Sequence, residues 1–389
     1  MTTKGFSARH ARFVGAIALL AASLHAHSQA TIGVLLSATG PVASLGILEK
    51  NGVLLAADKS KSNFKYIHVD DASDPTQAAR LARKLIDEDK VDAIIGTTGT
   101  PGALAISAVA AEGKTIVISQ APANILVMPV EGDKRWIFKT TTNDDHEGRP
   151  LFNHMKASKV QTLGFIGFAD SYGDQWLKMT NQMAGEAGIK VVDEERYART
   201  DTSVASQMLK LSSKSPDAVI IAGSGGAAAT PVLELKKRGY KGRIYVTLGA
   251  TFGDFLRITA ADAEGIYAPF AAVMGVSQLP DNSPGKVGAQ EFVKAWEEKH
   301  GAGTANIFSA GGWDAVKLIE RAAPIAAKAA KPGTVEYRSA LRDAMEAIKG
   351  MPGARGVYNL SPTDHAGLDA NALLVGQFTK GRWVLQTGS

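Results

Sequence analysis

The chain has 389 residues, which is long enough for two lobes rather than one small core. Its 45% hydrophobic content and formal net charge of +5 are typical of a soluble globular protein. The absence of cysteine excludes disulfides, thiol catalysis and thiolate metal sites. Beyond the N-terminal segment the sequence has no basic stripe or recognition motif, so nucleic acid is not an expected partner.

The N-terminal segment has the features of a secretory signal. Lys4, Arg9 and Arg12 precede the apolar run FVGAIALLAASL, which is too short to span a bilayer comfortably. The small residues that end at Ala30 predict cleavage there; Ala26 and an uncleaved anchor are the alternatives. Cleavage would remove three basic residues and leave 40 basic against 38 acidic ones, a net charge of +2. The sequence therefore predicts an exported protein.

From Thr31 the sequence alternates between strand-like and helix-like segments. The expected helix that begins DPTQAARLARKLI has Asp74 as its N-cap and Pro75 at its first position. This alternation favours a parallel sheet with helices on both faces. The predicted strands are TIGVLLS, FKYIHVDD, VDAIIG and KTIVIS.

The alternation pauses at 135–148 and then starts again. Four further strands, TLGFIGF, KVVDEERY, DAVIIAG and RIYVTLG, predict a second α/β unit that ends near 264–273. The long helices that follow have no strands of their own, so they are expected to pack on the first sheet. The chain would then cross between lobes more than once. The final ALLVGQFTKGRWVLQ predicts a hairpin with its turn at 379–381.

The stretch GTTGTPGALA, at 96–105, lies where a strand should end and a helix begin. It lacks the lysine of a phosphate-binding P-loop and the G-x-G-x-x-G spacing of a dinucleotide site. What remains is a short anion-binding loop with hydroxyls at Thr97, Thr98 and Thr100, which suits a carboxylate as well as a phosphate. The alternative is an ordinary turn with Pro101 at the first helical position.

Four stretches, in order along the chain, resemble the Leu/Ile/Val-binding family of periplasmic solute receptors. They are SATGPVASLG (37–46), DDASDPTQAARLARKLI (70–86), FADSYGDQW (168–176) and ADAEGIYA (261–268). The resemblance implies the type I periplasmic binding fold, an α/β fold of two Rossmann-like lobes joined by a three-segment hinge. It also implies a ligand held in the cleft between closing lobes.

The resemblance further implies a domain division and a set of partners. The partners would be a small ligand and the membrane permease subunits of an ABC transporter, with a monomeric receptor in the periplasm and no cofactor, metal or catalytic residue. The hinge segments are expected near 140–143, 268–271 and 353–356. The expected divisions are a signal peptide at 1–30, lobe 1 at 31–141 plus about 270–355, and lobe 2 at 142–269 plus about 356–389.

In the first lobe, the family binds a ligand carboxylate through backbone N–H groups and a hydroxyl. The resemblance assigns this role to Thr98, Gly99 and Thr100, with Thr100 at the hydroxyl position. Ala121 is expected to offer a further backbone contact. A second family hydroxyl falls on Ala123, which cannot donate, so carboxylate recognition is expected to differ in part.

In the second lobe, amino acid binders of the family neutralise the ligand's α-ammonium with a carboxylate at a strand end. That position falls on Leu248 or Gly249, and the nearest acid along the sequence is Asp254. Burying an ammonium without a partner costs several kcal/mol. The sequence therefore favours a ligand without the amine.

Three more positions bear on the ligand's size. Ser224 and Leu45 stand where the family has aromatic residues, which leaves room for a ring. Tyr172 matches a family tyrosine whose hydroxyl could reach a polar group of the ligand. The favoured ligand is a small monocarboxylate, either an aromatic acid or an aryl 2-oxo acid.

Other functions remain open at this point. A branched-chain amino acid receptor would take its acidic partner from elsewhere, with Asp170 as a candidate. An exported α/β hydrolase would use Ser224, but AGSGG has Ala222 where a nucleophile elbow has glycine, and no partner residues are identifiable. A ligand-sensing receptor domain of the same fold is a third possibility. The histidines of the mature chain show no metal-binding spacing.

Overall fold

A computed structural model of the chain describes residues 29–369 and 371–386. The predicted signal peptide therefore lies outside the described residues, except for Gln29 and Ala30. Within the described ranges, no helix combines the length and the apolar character needed to cross a membrane.

The first lobe is built on a five-stranded parallel sheet in the order β2-β1-β3-β4-β5. The short inner strands β3 and β4 are buried throughout, as expected when helices cover both faces. Asp74 caps its helix by accepting a hydrogen bond from the Gln77 N–H, as the sequence predicts. The elements are β1 (Thr31–Leu36), α1 (Ala43–Lys59), β2 (Lys65–Asp70), α2 (Pro75–Asp87), β3 (Ala93–Gly96), α3 (Thr100–Glu112), β4 (Ile116–Ser119) and β5 (Ile137–Lys139).

The second lobe repeats this arrangement. Its parallel strands follow the order β10-β9-β8-β6-β7, so β10 lies toward one side of the sheet and β7 at the opposite edge. The elements are α4 (Asp144–Ala157), β6 (Thr162–Phe168), α5 (Ser171–Ala187), β7 (Lys190–Tyr197), α6 (Ala205–Ser213), β8 (Ala218–Ala222), α7 (Ala229–Lys237), β9 (Arg243–Val246), α8 (Asp254–Thr259) and β10 (Tyr267–Phe270).

The chain then returns to the first lobe before it ends in the second. Three helices and a two-stranded antiparallel ribbon come first, and a C-terminal hairpin, as predicted, then adds antiparallel to β10. These elements are α9 (Lys286–His300), α10 (Ile307–Ala329), α11 (Val335–Glu346), β11 (Met351–Gly353), β12 (Gly356–Tyr358), β13 (Leu374–Thr379) and β14 (Arg382–Leu385). Short 3₁₀ helices lie at Asn124–Leu126, Gly132–Trp136, Gly225–Ala228, Leu248–Ala250, Ala260–Ala263, Ala272–Met274 and Val276–Gln278.

Each lobe has its own hydrophobic core. Phe292, Trp313 and Tyr337, from the three late helices, belong to the core of the first sheet, while Trp176 and Phe255 belong to the second. Two cores of this kind are what a 389-residue chain is expected to form.

The third crossing between the lobes lies further along the chain than predicted. Tyr358, Leu360 and Leu368 pack in the first core, whereas Val375 packs in the second. The 353–356 segment, expected to be a hinge, is instead the turn of the β11–β12 ribbon on the first lobe. Packing of Leu360, Leu368 and Leu373 in the first core keeps the chain on this lobe until about residue 373, which corrects the boundary placed near 355.

Candidate ligand-binding cleft

A cavity lies between the two lobes, at the carboxyl ends of their parallel strands. The space between its lining atoms is about 580 Å³, including the part open to solvent. Ligands of open α/β folds bind at this end of the strands because the loops that follow adjacent strands converge there.

Eight of the ten predicted site residues line this cavity. Each group of them follows the end of a strand or opens the helix after it, which is why the sequence pattern could find them. They are Leu45, Thr98, Gly99, Thr100, Tyr172, Ser224, Leu248 and Gly249.

Ala121 and Ala123 do not line the cavity and are fully buried in the first core. The backbone N–H of Ala121 donates to Ser119 Oγ, and its carbonyl accepts from Thr141 Oγ1, so both groups are already used. Their neighbours Gln120 and Pro122 line the cavity instead. In extended chain, successive residues face opposite sides, so the predicted contacts were wrong by one position.

The loop after β3 presents an unpaired hydroxyl at the N-terminus of α3. Gly99 is the N-cap residue and no side chain caps the helix, which leaves its positive end open to an anion. Thr100 is 1% exposed, and its Oγ1 has no hydrogen-bond partner within the described residues. Thr98 is different, because its Oγ1 accepts from Ser37 N–H at 3.2 Å and donates to a glutamate, Glu49, at 2.7 Å.

Arg199, which follows β7, lines the cavity from the second lobe and was missed by the sequence analysis. Its Nε donates to Asp170 Oδ2 at 2.6 Å and its Nη1 to Ser224 Oγ at 3.1 Å. The guanidinium also lies 4.0 Å from the centre of the Phe168 ring. These contacts hold a cation at the cavity wall in one orientation, but nothing in the local sequence distinguishes this arginine from others on the surface.

Glu147 overturns the expectation that no acid lies near Leu248 and Gly249. It lies in the first turn of α4 and is 2% exposed, and its Oε2 accepts from the Leu248 N–H at 3.3 Å. Burial raises the pKa of the Glu147 carboxyl to about 8; Asp144 adds to the rise and Arg355 opposes it. The sequence separation of 101 residues hid this contact.

Glu49 and Arg355 complete the charged lining. Burial raises the pKa of Glu49 to about 8, although the Thr98 hydroxyl and Arg355 act in the opposite direction. Arg355, in the turn between β11 and β12, donates from Nη1 to the Ile307 carbonyl at 2.7 Å. When both glutamates are protonated, the charged groups of the lining are two guanidinium ions, an arrangement that favours an anion.

Apolar side chains form most of the remaining wall. Tyr172 donates its hydroxyl to Thr247 Oγ1 at 2.9 Å, so toward a ligand it can only accept a hydrogen bond. The apolar residues come from both lobes and enclose the middle of the cavity. They are Val42, Leu45, Pro122, Leu248, Ile307 and Phe308.

A second chamber of about 750 Å³ continues the cleft beyond Arg199. It shares Val42, Gly99 and Arg199 with the first cavity and extends to Asp71 and Ala198, next to the edge strands β2 and β7. In each sheet, this edge strand lies on the side opposite the segments that connect the lobes. Arg199 and Gly99 therefore mark the outer end of the first cavity.

Catalysis by Ser224 gains no support from this arrangement. Its Oγ accepts a hydrogen bond from Arg199, and among the described residues no histidine lines the cavity to act as a base. The site has the composition of a binding cleft.

Comparisons with known proteins agree with this geometry. Residues 29–382 match the family model described as periplasmic binding protein. An amino acid binding protein of Pseudomonas aeruginosa is 26% identical over 264 residues, which are 64% of this chain and 69% of that protein. An extracellular ligand-binding receptor of Rhodopseudomonas palustris HaA2 is 38% identical, with a TM-score of 0.87 over 92% of this chain and 100% of that one.

A third similar structure is an ABC transporter solute-binding protein of R. palustris in complex with benzoate. It is 22% identical, with a TM-score of 0.78 over 92% of this chain and 95% of that one, which shows a shared fold.

The chain thus belongs to the periplasmic binding proteins, as a type I member of the Leu/Ile/Val-binding family, and the predicted family and fold are confirmed. It is a ligand-binding receptor of that family. The family's description places its members in the periplasm. Its fold is that of solute receptors and not of an enzyme family.

Proposed function

We propose that this receptor binds a small carboxylate without an α-ammonium group, either an aromatic acid or an aryl 2-oxo acid, and presents it to its permease. The observation that carries the proposal is the pairing of two carboxylate-binding groups on opposite lobes. Thr100, with an unpaired hydroxyl, lines the cavity from the first lobe, and the Arg199 guanidinium lines it from the second. A carboxylate between them would hold the lobes closed through charge-assisted hydrogen bonds.

The body of the ligand would lie against the apolar wall. Leu45 and Ser224, at positions where the resemblance to the family implies aromatic residues, line this cavity with smaller side chains. Aromatic surface buried there would contribute most of the binding energy, at about 25 cal/mol per Å².

Burial of Glu147 disfavours an amine on the ligand. Glu147 is close enough to Leu248 to replace the missing strand-end acid, but its pKa of about 8 means that it is mainly protonated at neutral pH. Burial therefore opposes the ionisation of Glu147 that pairing with an ammonium would require. A carboxylate without an amine avoids this cost.

A branched-chain amino acid is the second candidate, and the same residue favours it. If an incoming ammonium ionised Glu147, the ion pair would lie beside the backbone of Leu248, the position from which family receptors hold the amine. The P. aeruginosa relative, which is named an amino acid binding protein, supports this candidate as well.

A ligand panel distinguishes the two candidates. We expect benzoate, hydroxybenzoates, phenylpyruvate or coumarate to raise the melting temperature of the purified receptor, and leucine, isoleucine and valine to have little effect. The size of the shift reports affinity through mass action. Isothermal titration calorimetry of the best acid should give micromolar affinity. Micromolar binding of leucine with none of the aryl acids would refute the aromatic-acid proposal and favour the second candidate.

Gly225 lies where the two lobes approach each other closely, so a side chain at this position should hinder their closure. Its φ is +56°, and a Cβ there would lie 2.9 Å from Leu45 Cδ1 and 3.1 Å from Ser44 Oγ of the opposite lobe. Gly225→Ala should therefore weaken binding of the best acid of the panel in calorimetry, by at most about tenfold, or 1.4 kcal/mol, because the Leu45 and Ser44 side chains can shift to relieve part of the contact.

Gly239→Ala is the matched control for this variant. Gly239 also belongs to the second lobe and has a φ of +69°, but nothing lies within 4 Å of the Cβ that alanine would add. It carries the same left-handed backbone strain without the contact across the cleft. Equal losses of affinity in the two variants would contradict the steric explanation.

A further inference from the structure

The end of the cavity opposite Arg199 is polar and rigidly organised. Gln120, Thr141, Glu147 and Arg355 all line it. Thr141 follows β5 at the first crossing between lobes, and Glu147 lies only six residues further on. These residues therefore belong to the hinge side of the cleft, whereas Arg199 follows the edge strand β7.

A hydrogen-bond network fixes this polar end. Thr140 Oγ1 donates to Gln120 Oε1 at 3.0 Å, and the Thr140 carbonyl accepts from Tyr358 OH at 2.9 Å. Tyr358 OH also contacts Asp314 Oδ2 at 2.9 Å, and Asp314 accepts from the backbone N–H of Arg355 at 3.0 Å. Gln120 and the backbone of Arg355 are thus held in place by contacts within the first lobe, which lowers the entropic cost of ordering them on binding.

Two side chains next to this network, Glu147 and Arg355, still have hydrogen-bonding groups without partners among the described residues. In the described part of the chain, the Glu147 carboxyl accepts one hydrogen bond, through Oε2, and the Arg355 guanidinium donates one, from Nη1. Both residues are less than a tenth exposed, at 2% and 6%. A protonated carboxyl can donate and accept, and a guanidinium donates through five N–H groups.

We propose that this hinge-side end recognises a hydroxyl group on the ligand, at the end of the ring opposite the carboxylate. The ligand class would then be hydroxylated aryl acids rather than unsubstituted ones, an inference that rests on the proposed function. The hydroxyl accepts from Arg355 and exchanges a hydrogen bond with Glu147, and the carboxylate binds Arg199 and Thr100 at the outer end. A ligand whose ring lacks the hydroxyl would leave Glu147 and Arg355 buried without a hydrogen-bond partner on the ligand. Each unpaired group would weaken binding.

Two matched pairs of acids test this inference in the full mature receptor. One pair is 4-hydroxybenzoate and benzoate, and the other is 4-hydroxycinnamate and cinnamate, so that the distance between carboxylate and hydroxyl is sampled at two lengths. By calorimetry at pH 7, we expect the hydroxylated member of the better-fitting pair to bind at least tenfold more tightly than its partner.

Variants of Glu147 assign the preference to this residue. Glu147→Ala should reduce the preference to threefold or less while the unsubstituted acid keeps its affinity. Glu147→Gln, whose amide still donates and accepts, should retain most of the preference, which a merely structural role would not predict. Asp145→Ala is the control, because it removes a neighbouring acid of α4 whose carboxylate contacts Asn124 instead of the cavity.

The outcomes separate this inference from the proposed function. Tight binding of both members of each pair with equal affinity would overturn the hydroxyl subsite and leave the aryl-acid proposal intact. A preference that survives in Glu147→Ala would also overturn it. Binding of leucine without any aryl acid would overturn the proposed function and, with it, the subsite.

Discussion

Arg199→Ala is expected to weaken binding of the carboxylate ligand by about a hundredfold, close to 2.7 kcal/mol. The variant removes a charge-assisted hydrogen-bond donor, which contributes about 1.5–3 kcal/mol. It also leaves Asp170 without the guanidinium that now lies 2.6 Å away, so an uncompensated negative charge would face the incoming anion. Calorimetry with the best aryl acid measures the loss. Thermal unfolding checks that the variant is still folded, since Asp170 also caps α5 by accepting from the backbone N–H groups of Tyr172 and Gly173.

Two further variants test the specificity of this effect. Arg199→Lys should recover only part of the affinity, because one ammonium cannot span Asp170 and Ser224 as the planar guanidinium does. Arg149→Ala is the control, since Arg149 forms an exposed ion pair with Glu186 on the same lobe and does not line the cavity. A change of less than threefold in Arg199→Ala would rule out this residue as the carboxylate partner.

The second large effect concerns stability and lies where α1 crosses α10. A Cβ on Gly52 would lie 1.9 Å from the Ser309 carbonyl oxygen, and one on Gly312 would lie 2.0 Å from the Glu49 carbonyl oxygen. Both obstacles are backbone atoms, which cannot move without separating the two helices. Gly52→Ala is therefore expected to lower the free energy of unfolding by about 3 kcal/mol, at the upper end of overpacking effects.

Gly185→Ala is a control that should raise, rather than lower, the free energy of unfolding. Gly185 also lies inside a helix, α5, but nothing lies within 4 Å of the Cβ that alanine would add. Alanine should stabilise this helix by about 0.5–1 kcal/mol, because it loses less backbone entropy on folding than glycine. Urea unfolding followed by tryptophan fluorescence compares the two variants. A Gly52→Ala receptor as stable as Gly185→Ala would show that the helices can separate at little cost.

Much of the architecture could be predicted because it depends on local patterns. Alternating strand and helix segments specify a parallel sheet with covered faces, and Asp74 before Pro75 specifies where α2 begins. The eight predicted residues that line the cavity follow from the same rule, since the carboxyl ends of parallel strands meet at one edge. The turn of the C-terminal hairpin was predictable from its short polar loop.

The errors arose where the outcome depends on residues distant in sequence. Ala121 and Ala123 were misassigned because a one-residue shift reverses the side that an extended chain presents. The third crossing was misplaced because the sequence alone did not show that β11 and β12 pair with each other. It also did not show that this ribbon packs on the first lobe.

The sequence by itself determined the class of this protein, its two α/β lobes and the strand ends that form the cleft. Only the tertiary structure brought Glu49, Glu147, Arg199 and Arg355 together, from two helices, the end of an edge strand and the turn of a ribbon. Charge and burial then set their chemistry, since removal from water and neighbouring negative charge both raise the pKa of a carboxyl. Local sequence carries secondary-structure preference, but the electrostatics of a cleft depend on distances between segments that fold together.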